Sequence, residues 1–320
     1  MTSAAAAATA RPAPSAARRF REWWANPWGK PRFLVLFTLV YLVWSIVPIL
    51  IAIRFSFNEG RSRSTAQGWS FRWYTEDPDL SVLHDPDLSA ALLQSLKLAA
   101  LAVAITVPLG VALAIGVTRW RGRVAGTSRF MSLVPLVTPE IVMGVALLLV
   151  FVHVLTFIPL GTPAQAIGHV TFSLAFVLII VRSRLLSIGP EYEEAAQDLG
   201  ASPLQSLRLA LFPMLTPATV ASAIVVFAIS MDDFVVSAFL SSGTNTDTVP
   251  VRIYSTGRTA PTPALNALAT VTLAITLVIA AAFFVVWRLV LARRGKRGAT
   301  LGEFADIDDV YAGATHLEER

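Results

Sequence analysis

Six long apolar segments constrain this chain more than any other feature of its sequence. A membrane-spanning helix needs about 20 mostly apolar residues, because the hydrocarbon core of a bilayer is about 30 Å thick. Hydrophobic residues make up 55% of the chain and charged residues only 15%, with a mean hydropathy of +0.62. We therefore predict an all-α membrane protein with six transmembrane helices. The segments are 33–53, 98–117, 131–155, 164–181, 214–240 and 264–287.

The distribution of Lys and Arg predicts the orientation of these helices. Cytoplasmic loops of membrane proteins carry an excess of both residues. Here they cluster before the first segment, between the second and third, and after the sixth, whereas the connection between the third and fourth has none. We expect both termini in the cytoplasm, together with the loop between the fourth and fifth segments. The basic clusters are interpreted as orientation signals, and no nucleic-acid binding is expected.

The tails differ in composition from the apolar centre of the chain. Residues 1–30 combine Ala, Ser, Pro and Arg, and we predict a disordered cytoplasmic segment. Residues 31–292 form the six-helix transmembrane domain. Residues 293–320 become acidic after Gly298 and are predicted to be a cytoplasmic tail without a core of its own.

No set of residues with catalytic, metal-binding or nucleotide-binding spacing stands out. The chain has no cysteine, which excludes disulfides and thiolate metal sites. Its four histidines lack metal-ligand spacing, and no glycine-rich loop ends in Gly-Lys-Ser or Gly-Lys-Thr. His153 and His169 are interpreted as structural, because neither has an acidic partner at helical spacing. We predict a chain that is not an enzyme and binds no cofactor itself.

A polar segment, residues 189–213, lies between the fourth and fifth apolar segments. A Gly-Pro pair ends the preceding helix, and Gly200 is suited to end a new helix in the left-handed conformation. Ser202 is expected to cap a second short helix, which Pro213 stops before the fifth segment. A bent pair of short helices is predicted, serving either as a docking loop or as an amphipathic connector at the membrane surface. Three acidic residues favour the positive N-terminus of the first short helix: Glu191, Glu193 and Glu194.

The order of residues in this segment resembles the EAA motif of ABC importer permeases. That motif reads EAA, three residues, Gly, nine residues, then I-x-L-P; Glu194-Ala195-Ala196, Gly200 and Ala210-Leu211-Phe212-Pro213 stand at those positions. The resemblance implies the type I importer permease fold, with coupling helices that dock on a separate ATPase subunit where ATP and Mg are bound. It assigns ATPase coupling to five residues: Glu193, Glu194, Ala195, Ala196 and Gly200.

Two further segments resemble the spermidine/putrescine permeases of the same superfamily. They are Ser230-Met231-Asp232-Asp233-Phe234-Val235-Val236-Ser237 and Pro250-Val251-Arg252-Ile253-Tyr254-Ser255. The resemblance implies half of the translocation pathway of a polyamine importer in a bacterial plasma membrane. Its partners would be a second permease subunit in a heterodimer, ABC ATPase subunits and an extracytoplasmic solute-binding protein. Import of another small organic solute and an ion-coupled secondary carrier remain as alternatives.

Two adjacent carboxylates, Asp232 and Asp233, interrupt the fifth apolar segment. A carboxylate in a membrane is costly and usually faces the bundle interior or a wet cavity, which would suit a small cationic substrate. On a continuous helix Asp232 points about 100° away from Asp233. The candidate pathway residues are Asp232, Asp233 and Ser230, and the alternative is a structural pair with Arg252 or Arg258. Asp233 is preferred because it shares a stripe with three serines: Ser222, Ser230 and Ser237.

Glu140 interrupts the third apolar segment directly after Thr138-Pro139. Proline removes a backbone donor and disfavours a continuous helix, so a break is predicted here. Glu140 is expected to cap the broken helix or to line an inner gate rather than to bind solute.

Overall fold

The structure, a computed structural model, describes residues 32–62, 65–119, 123–259 and 262–293. These residues are helical with intervening loops and contain no strand. The chain divides into two compact units, Met1–Ala52 and Ile53–Arg320. The predicted segment 1–30 lies outside the described residues, as does the predicted tail 293–320 except for its first residue.

Helix α1, Arg32–Ser56, is an apolar helix that exposes its side chains. Its span Phe33–Ser56 has a mean hydropathy of 2.6. None of its side chains between 33 and 52 is buried within the protein. A helix that is apolar all round and exposes those side chains is suited to a lipid environment, as the sequence predicts.

The described part of the second unit consists of ten further α-helices with short turns between some of them. Five helical spans, including α1, are long and apolar enough to cross a membrane, and a bent pair makes a sixth candidate. The helices are α2 Pro86–Arg119, α3 Arg123–Val137, α4 Glu140–His153, α5 Thr162–Ile188, α6 Glu191–Asp198, α7 Pro203–Ser206, α8 Phe212–Asp232, α9 Val235–Leu240, α10 Val249–Thr259 and α11 Pro263–Arg293. The turns are π-helical at Arg72–Glu76 and Leu207–Leu211 and 3-10 at Thr244–Thr246.

Helices α2, α5 and α8 pack against one another through small and branched side chains. Gly110 of α2 allows the backbones to approach closely, because a Cβ atom at its position would lie 2.5 Å from Cγ1 of Val177 on α5. The flanking helices pack against these three helices. Its buried residues include Ala102, Val111, Ala114, Val177, Val181, Leu185, Leu215, Ala223 and Val226.

The third predicted segment is bent where the sequence predicts a break. Helix α3 ends at Val137, α4 begins at Glu140, and the two axes meet at 111°. Pro139 between them has φ −56° and ψ 132°, outside the helical region. Its ring also lacks a backbone N–H that a continuous helix would use. Segment 131–155 is therefore two helices at a sharp angle.

The fifth predicted segment is also divided, which corrects the expectation of one helix through residue 240. Helix α8 ends at Asp232, and Asp233 takes the extended conformation with φ −63° and ψ 119°. The Asp233 carboxylate accepts the backbone N–H groups of Val236 and Ser237 at 3.4 and 2.7 Å. A carboxylate that bonds nearby backbone donors competes with the helix ladder, so α9 starts anew at Val235. The predicted serine stripe is interrupted here.

The other end of α8 corrects the role predicted for Pro213. Ser202 caps α7 as predicted, because its hydroxyl accepts the N–H of Gln205 and the Gln205 side chain accepts the N–H of Ser202. The chain then continues through Leu207–Leu211 into α8. Pro213 lies in the first turn of α8, where no backbone donor is needed, so it does not stop a helix.

The loop between α1 and α2 packs on the starts of α2, α10 and α11 around the buried Trp73. Its indole N–H donates to the carbonyl oxygen of Asn58 at 2.5 Å. Burial raises the pKa of Asp77 in this loop, but hydrogen bonds from the Arg72 guanidinium and from the backbone of Leu80 and Asp79 outweigh it, leaving the pKa below its ordinary value. The loop between α1 and α2 is therefore folded and packed against these helices.

Candidate functional site

The polar segment 189–213, hereafter called the coupling loop after its predicted role, presents part of the EAA sequence to solvent on helix α6. Glu194 and Ala195 are exposed, and Ala196 is half-buried. Gly200 follows the helix with φ +90°, which confirms the predicted left-handed end. Leu199 beside it is 91% exposed, although it is a large apolar residue. Glu194, Ala195 and Leu199 are therefore accessible at the surface of the described residues.

Glu193, in contrast, has a partner inside the chain. Arg119, the last residue of α2, donates from Nε and Nη2 to Oε1 of Glu193 at 2.9 and 2.7 Å. Nη2 also donates to the carbonyl oxygen of Gly189, just after α5, at 2.6 Å. Glu193 therefore joins the coupling loop to α2 and to the end of α5. The sequence did not reveal Arg119, because it lies 74 positions from Glu193.

A cavity of about 320 Å³ is lined by residues on both sides of the α3–α4 bend, by the end of α8 and by the two residues between α8 and α9. Three carboxylates line it, those of Glu140, Asp232 and Asp233. The aromatic rings of Phe172 and Phe176 on α5 add apolar walls. No group of three or more His, Asp or Glu side chains among the described residues could hold a metal ion. The arrangement is suited to an organic cation, with charges and aromatic faces in one cavity.

Two of the three carboxylate side chains are exposed to solvent. Glu140 and Asp232 are exposed, and neither makes a hydrogen bond or ion pair within the described ranges. Asp232 also lines a second cavity of about 380 Å³, whose walls include Val249 of α10 and Thr272 of α11. Its side chain therefore reaches both cavities. Glu140 opens α4 and lines the first.

The third carboxylate is held by a buried histidine. Oδ2 of Asp233 lies 3.3 Å from Nε2 of His169, and the two side chains are 6% and 0% exposed. Nδ1 of His169 lies 2.6 Å from Oγ of Ser230, and Nε2 lies 3.0 Å from Oγ of Ser237. The hydrogen bonds of His169 agree with the structural role predicted for it, although an acidic partner was expected only at helical spacing. Its partner is on another helix, where helical spacing cannot reveal it.

Ser230 and the two arginines proposed as alternatives occupy other positions. Ser230 is 1% exposed, bonds His169 and lines neither of the two cavities described above. Its hydroxyl is turned toward α5, and its place on the pathway stays a prediction. Arg252 pairs with Asp87 at the start of α2. Arg258 stacks on the ring of Tyr254, with its guanidinium carbon 4.4 Å from the ring centroid. Neither arginine pairs with Asp232 or Asp233.

Comparisons with known proteins agree with this architecture of apolar helices. The family described as the binding-protein-dependent transport system inner membrane component matches residues 106–296. The chain belongs to this family and is a multi-pass permease subunit of the ABC importer type. A crystal structure of a bacterial ABC transporter that imports alginate matches with a TM-score of 0.66 at 16% identity, over 85% of this chain and 97% of that one, which shows the shared fold.

Two curated relatives are polyamine permeases. Putrescine transport system permease protein PotI of Escherichia coli K12 is 35% identical over 280 residues, covering 85% of this chain and 93% of the relative. Spermidine/putrescine transport system permease protein PotC of Haemophilus influenzae is 35% identical over 241 residues, covering 75% and 91%. The resemblance drawn from the sequence is confirmed.

Proposed function

We propose that this chain forms half of the translocation pathway of an ATP-driven importer for polyamines in a bacterial inner membrane. The observation that carries the proposal is the cavity lined by Glu140, Asp232 and Asp233 in a chain of the importer family. A protonated amine loses hydration on entering a membrane protein and needs carboxylates to replace it. The names of the relatives PotI and PotC point to the same class of solute.

The proposed transporter contains partners that supply energy and solute. Two ABC ATPase subunits would bind ATP and Mg, a second permease subunit would complete the pathway, and an extracytoplasmic binding protein would deliver the polyamine. A solved alginate transporter that shares this fold was crystallised with its periplasmic protein, which supports the last partner. In this proposal both termini and the coupling loop face the cytoplasm. The transmembrane permease domain is residues 31–292, flanked by the cytoplasmic segments 1–30 and 293–320.

The coupling loop is proposed to contact the ATPase through its exposed residues. Glu194 offers a charge, Ala195 and Ala196 allow close approach, and Gly200 sets the bend. Glu193 has a different part, because Arg119 holds it within the permease. Movement of α6 would thus pass to α2 and α5 through this ion pair. In this proposal, coupling needs both the contact between the exposed residues and the ATPase and the Arg119–Glu193 ion pair within the permease.

Asp232, Asp233 and, contrary to the expectation from the sequence, Glu140 are proposed to pass the cation at the other end of α8, because all three line one cavity. At about 1.5 Å per residue, the length of α8 places Asp232 some 30 Å from the coupling loop. The exposed carboxylate of Asp232 lies directly before the helix break. The carboxylate of Asp233 beside it lines the same cavity and is held in place by His169. Ser230 is proposed to act only through the His169 hydrogen bond.

Competition for uptake tests the proposed solute. Cells that express the complete transporter are supplied with labelled putrescine and an excess of unlabelled spermidine, a neutral sugar or a neutral amino acid. We expect spermidine to suppress uptake and the neutral solutes to leave it unchanged, because the cavity carboxylates favour cations. Transport of a neutral solute with no response to polyamines would assign the chain to another importer subgroup.

A further inference from the structure

A buried histidine stands where three helices meet. His169 of α5 is fully buried, and its two ring nitrogens contact side chains on both sides of the α8–α9 break. On one side is Ser230 near the end of α8, and on the other are Asp233 and Ser237. The ring thus lies directly behind a carboxylate that lines the cavity.

The contacts define what each nitrogen does. In the tautomer with its proton on Nε2, the ring donates toward Oδ2 of Asp233 at 3.3 Å and Oγ of Ser237 at 3.0 Å, because an ionised carboxylate only accepts hydrogen bonds. In that tautomer Nδ1 accepts the hydroxyl hydrogen of Ser230 at 2.6 Å. The donor on Nε2 therefore faces Asp233, and the Nδ1 side faces a neutral hydroxyl.

Helix packing does not by itself require this ring. Gln165, one turn earlier on α5, already donates from Nε2 to the carbonyl oxygens of Ser237 and Thr246 at 3.0 and 2.9 Å. Its Oε1 accepts from Gln94 of α2 at 2.8 Å. These bonds join α2, α5 and α9 without a titratable group. His169 adds a contact to the one cavity carboxylate that has a side-chain partner.

We propose that His169 is a positioning residue that fixes the Asp233 carboxylate at the cavity wall and so supports passage of a cationic solute. This inference rests on the proposed function, because it concerns the same carboxylate-lined cavity. The Asp233 side chain is held by Nε2 of His169 and by the backbone N–H of Ser237, so its charge stays at a fixed place beside Asp232. An unheld carboxylate at a helix break would turn between several rotamers.

Two amide substitutions separate the two faces of the ring. The side-chain nitrogen of glutamine can take the place of Nε2, whereas that of asparagine can take only the place of Nδ1. His169→Gln therefore keeps a donor toward Asp233 and Ser237, and His169→Asn loses it. Uptake of labelled putrescine is measured with each complete transporter, after the amount of assembled complex has been determined. We expect His169→Gln to keep most of the maximal rate and His169→Asn to lose about tenfold, the size of effect from one bond to a charged group.

A cycle with Asp233→Asn distinguishes positioning from general packing. If His169 acts through the carboxylate, adding His169→Asn to Asp233→Asn changes uptake by less than about twofold, because the group it positions is already neutral. The matched control is the same pair of substitutions at His153. That ring is exposed and is hydrogen-bonded to the backbone carbonyl oxygen of Leu149 at 3.2 Å, and we expect no change.

The outcomes separate this inference from the function on which it rests. No putrescine uptake by the unmodified transporter would overturn both. Normal uptake by the unmodified transporter with losses that multiply in the double variant, or equal losses in His169→Gln and His169→Asn, would overturn only the positioning role. If His169→Asn does not assemble, His169→Leu replaces it in the cycle. Failure of both to assemble while His169→Gln assembles would show a packing role and contradict the proposal.

Discussion

Asp232 and Asp233 are adjacent in sequence, yet their side chains have opposite surroundings. Asp233 is held by His169 and by backbone N–H groups, whereas Asp232 is exposed toward two cavities without a partner in the described part of the chain. An open carboxylate gains most from a cation that enters, because no protein group already balances it. The sequence predicted the reverse order, since it assumed one continuous helix.

We therefore expect Asp232→Asn to reduce polyamine uptake by about tenfold or more, because the substitution keeps size and much of the hydrogen bonding but removes the charge. Uptake per assembled complex is the measurement. Asp79→Asn, an exposed position in the loop between α1 and α2, is the control and should have no effect. Unchanged uptake in Asp232→Asn, Asp233→Asn and the double variant would remove both carboxylates from the pathway.

Gly200 is needed for its backbone conformation and not for space. Its φ is +90°, and no atom lies within 4 Å of a Cβ built at its position. Gly200→Ala should therefore weaken docking of the ATPase through strain of about 1–2 kcal/mol, and Gly200→Asn should weaken it less, because Asn tolerates the left-handed region better. Copurification of the ATPase with this chain measures the effect.

The control for this prediction is Gly116→Ala on α2. A Cβ at Gly116 also meets no atom within 4 Å, but its backbone is helical. Equal copurification of the ATPase with the wild type, Gly200→Ala and Gly116→Ala would show that the bend is irrelevant to docking.

At the scale of helices, the sequence predicts which helices exist better than where they are interrupted or which residues of other helices they contact. Length and apolarity locate α1, α2, α5 and α11, and Pro139 marks the α3–α4 bend. Helix α2 begins at Pro86, well before the predicted segment at 98, because its first turns pack under the folded loop instead of in lipid. The α8–α9 break was missed, since it depends on the rotamer by which Asp233 bonds the backbone.

The site was predictable to the same extent. The residue order of the EAA segment predicts the left-handed Gly200 and the Ser202 cap, because each of these residue types meets a local backbone requirement. The Arg119–Glu193 and His169–Asp233 pairs join residues on different helices. Such pairs depend on how helices pack, which no local periodicity contains.

The Arg119–Glu193 pair leads to a prediction about coupling between elements. Arg119→Gln removes the ion pair that joins α6 to α2, so the ATPase should still dock while uptake per ATP hydrolysed falls severalfold. Glu193→Gln should act in the same direction but more weakly, because Arg119 keeps its bond to the carbonyl oxygen of Gly189. The ratio of putrescine uptake to phosphate release measures this coupling.

Arg288→Gln, at an exposed position of α11, is the control for loss of a single cationic charge. An unchanged ratio in Arg119→Gln, or a loss of ATPase docking equal to the loss of uptake, would contradict transmission through the pair.

At the scale of the whole molecule, the described residues contain the parts that we expect of a transporter subunit. They include a folded loop between α1 and α2, a packed centre of α2, α5 and α8, a cavity with carboxylates, and a coupling loop whose apolar Leu199 is exposed. In the proposed importer, energy enters at the coupling loop and the solute passes at the opposite end of α8. An ion-coupled secondary carrier would need neither an ATPase nor the coupling loop.

ATP-driven uptake into proteoliposomes tests this account most directly. The transporter is purified through this chain, reconstituted, and supplied with labelled putrescine and its binding protein, with ATP inside or outside the vesicles or replaced by an ion gradient. The account predicts uptake only when ATP reaches the ATPase subunits and the binding protein is on the opposite side. Uptake by the chain without any ATPase subunit, driven by an ion gradient alone, would contradict it.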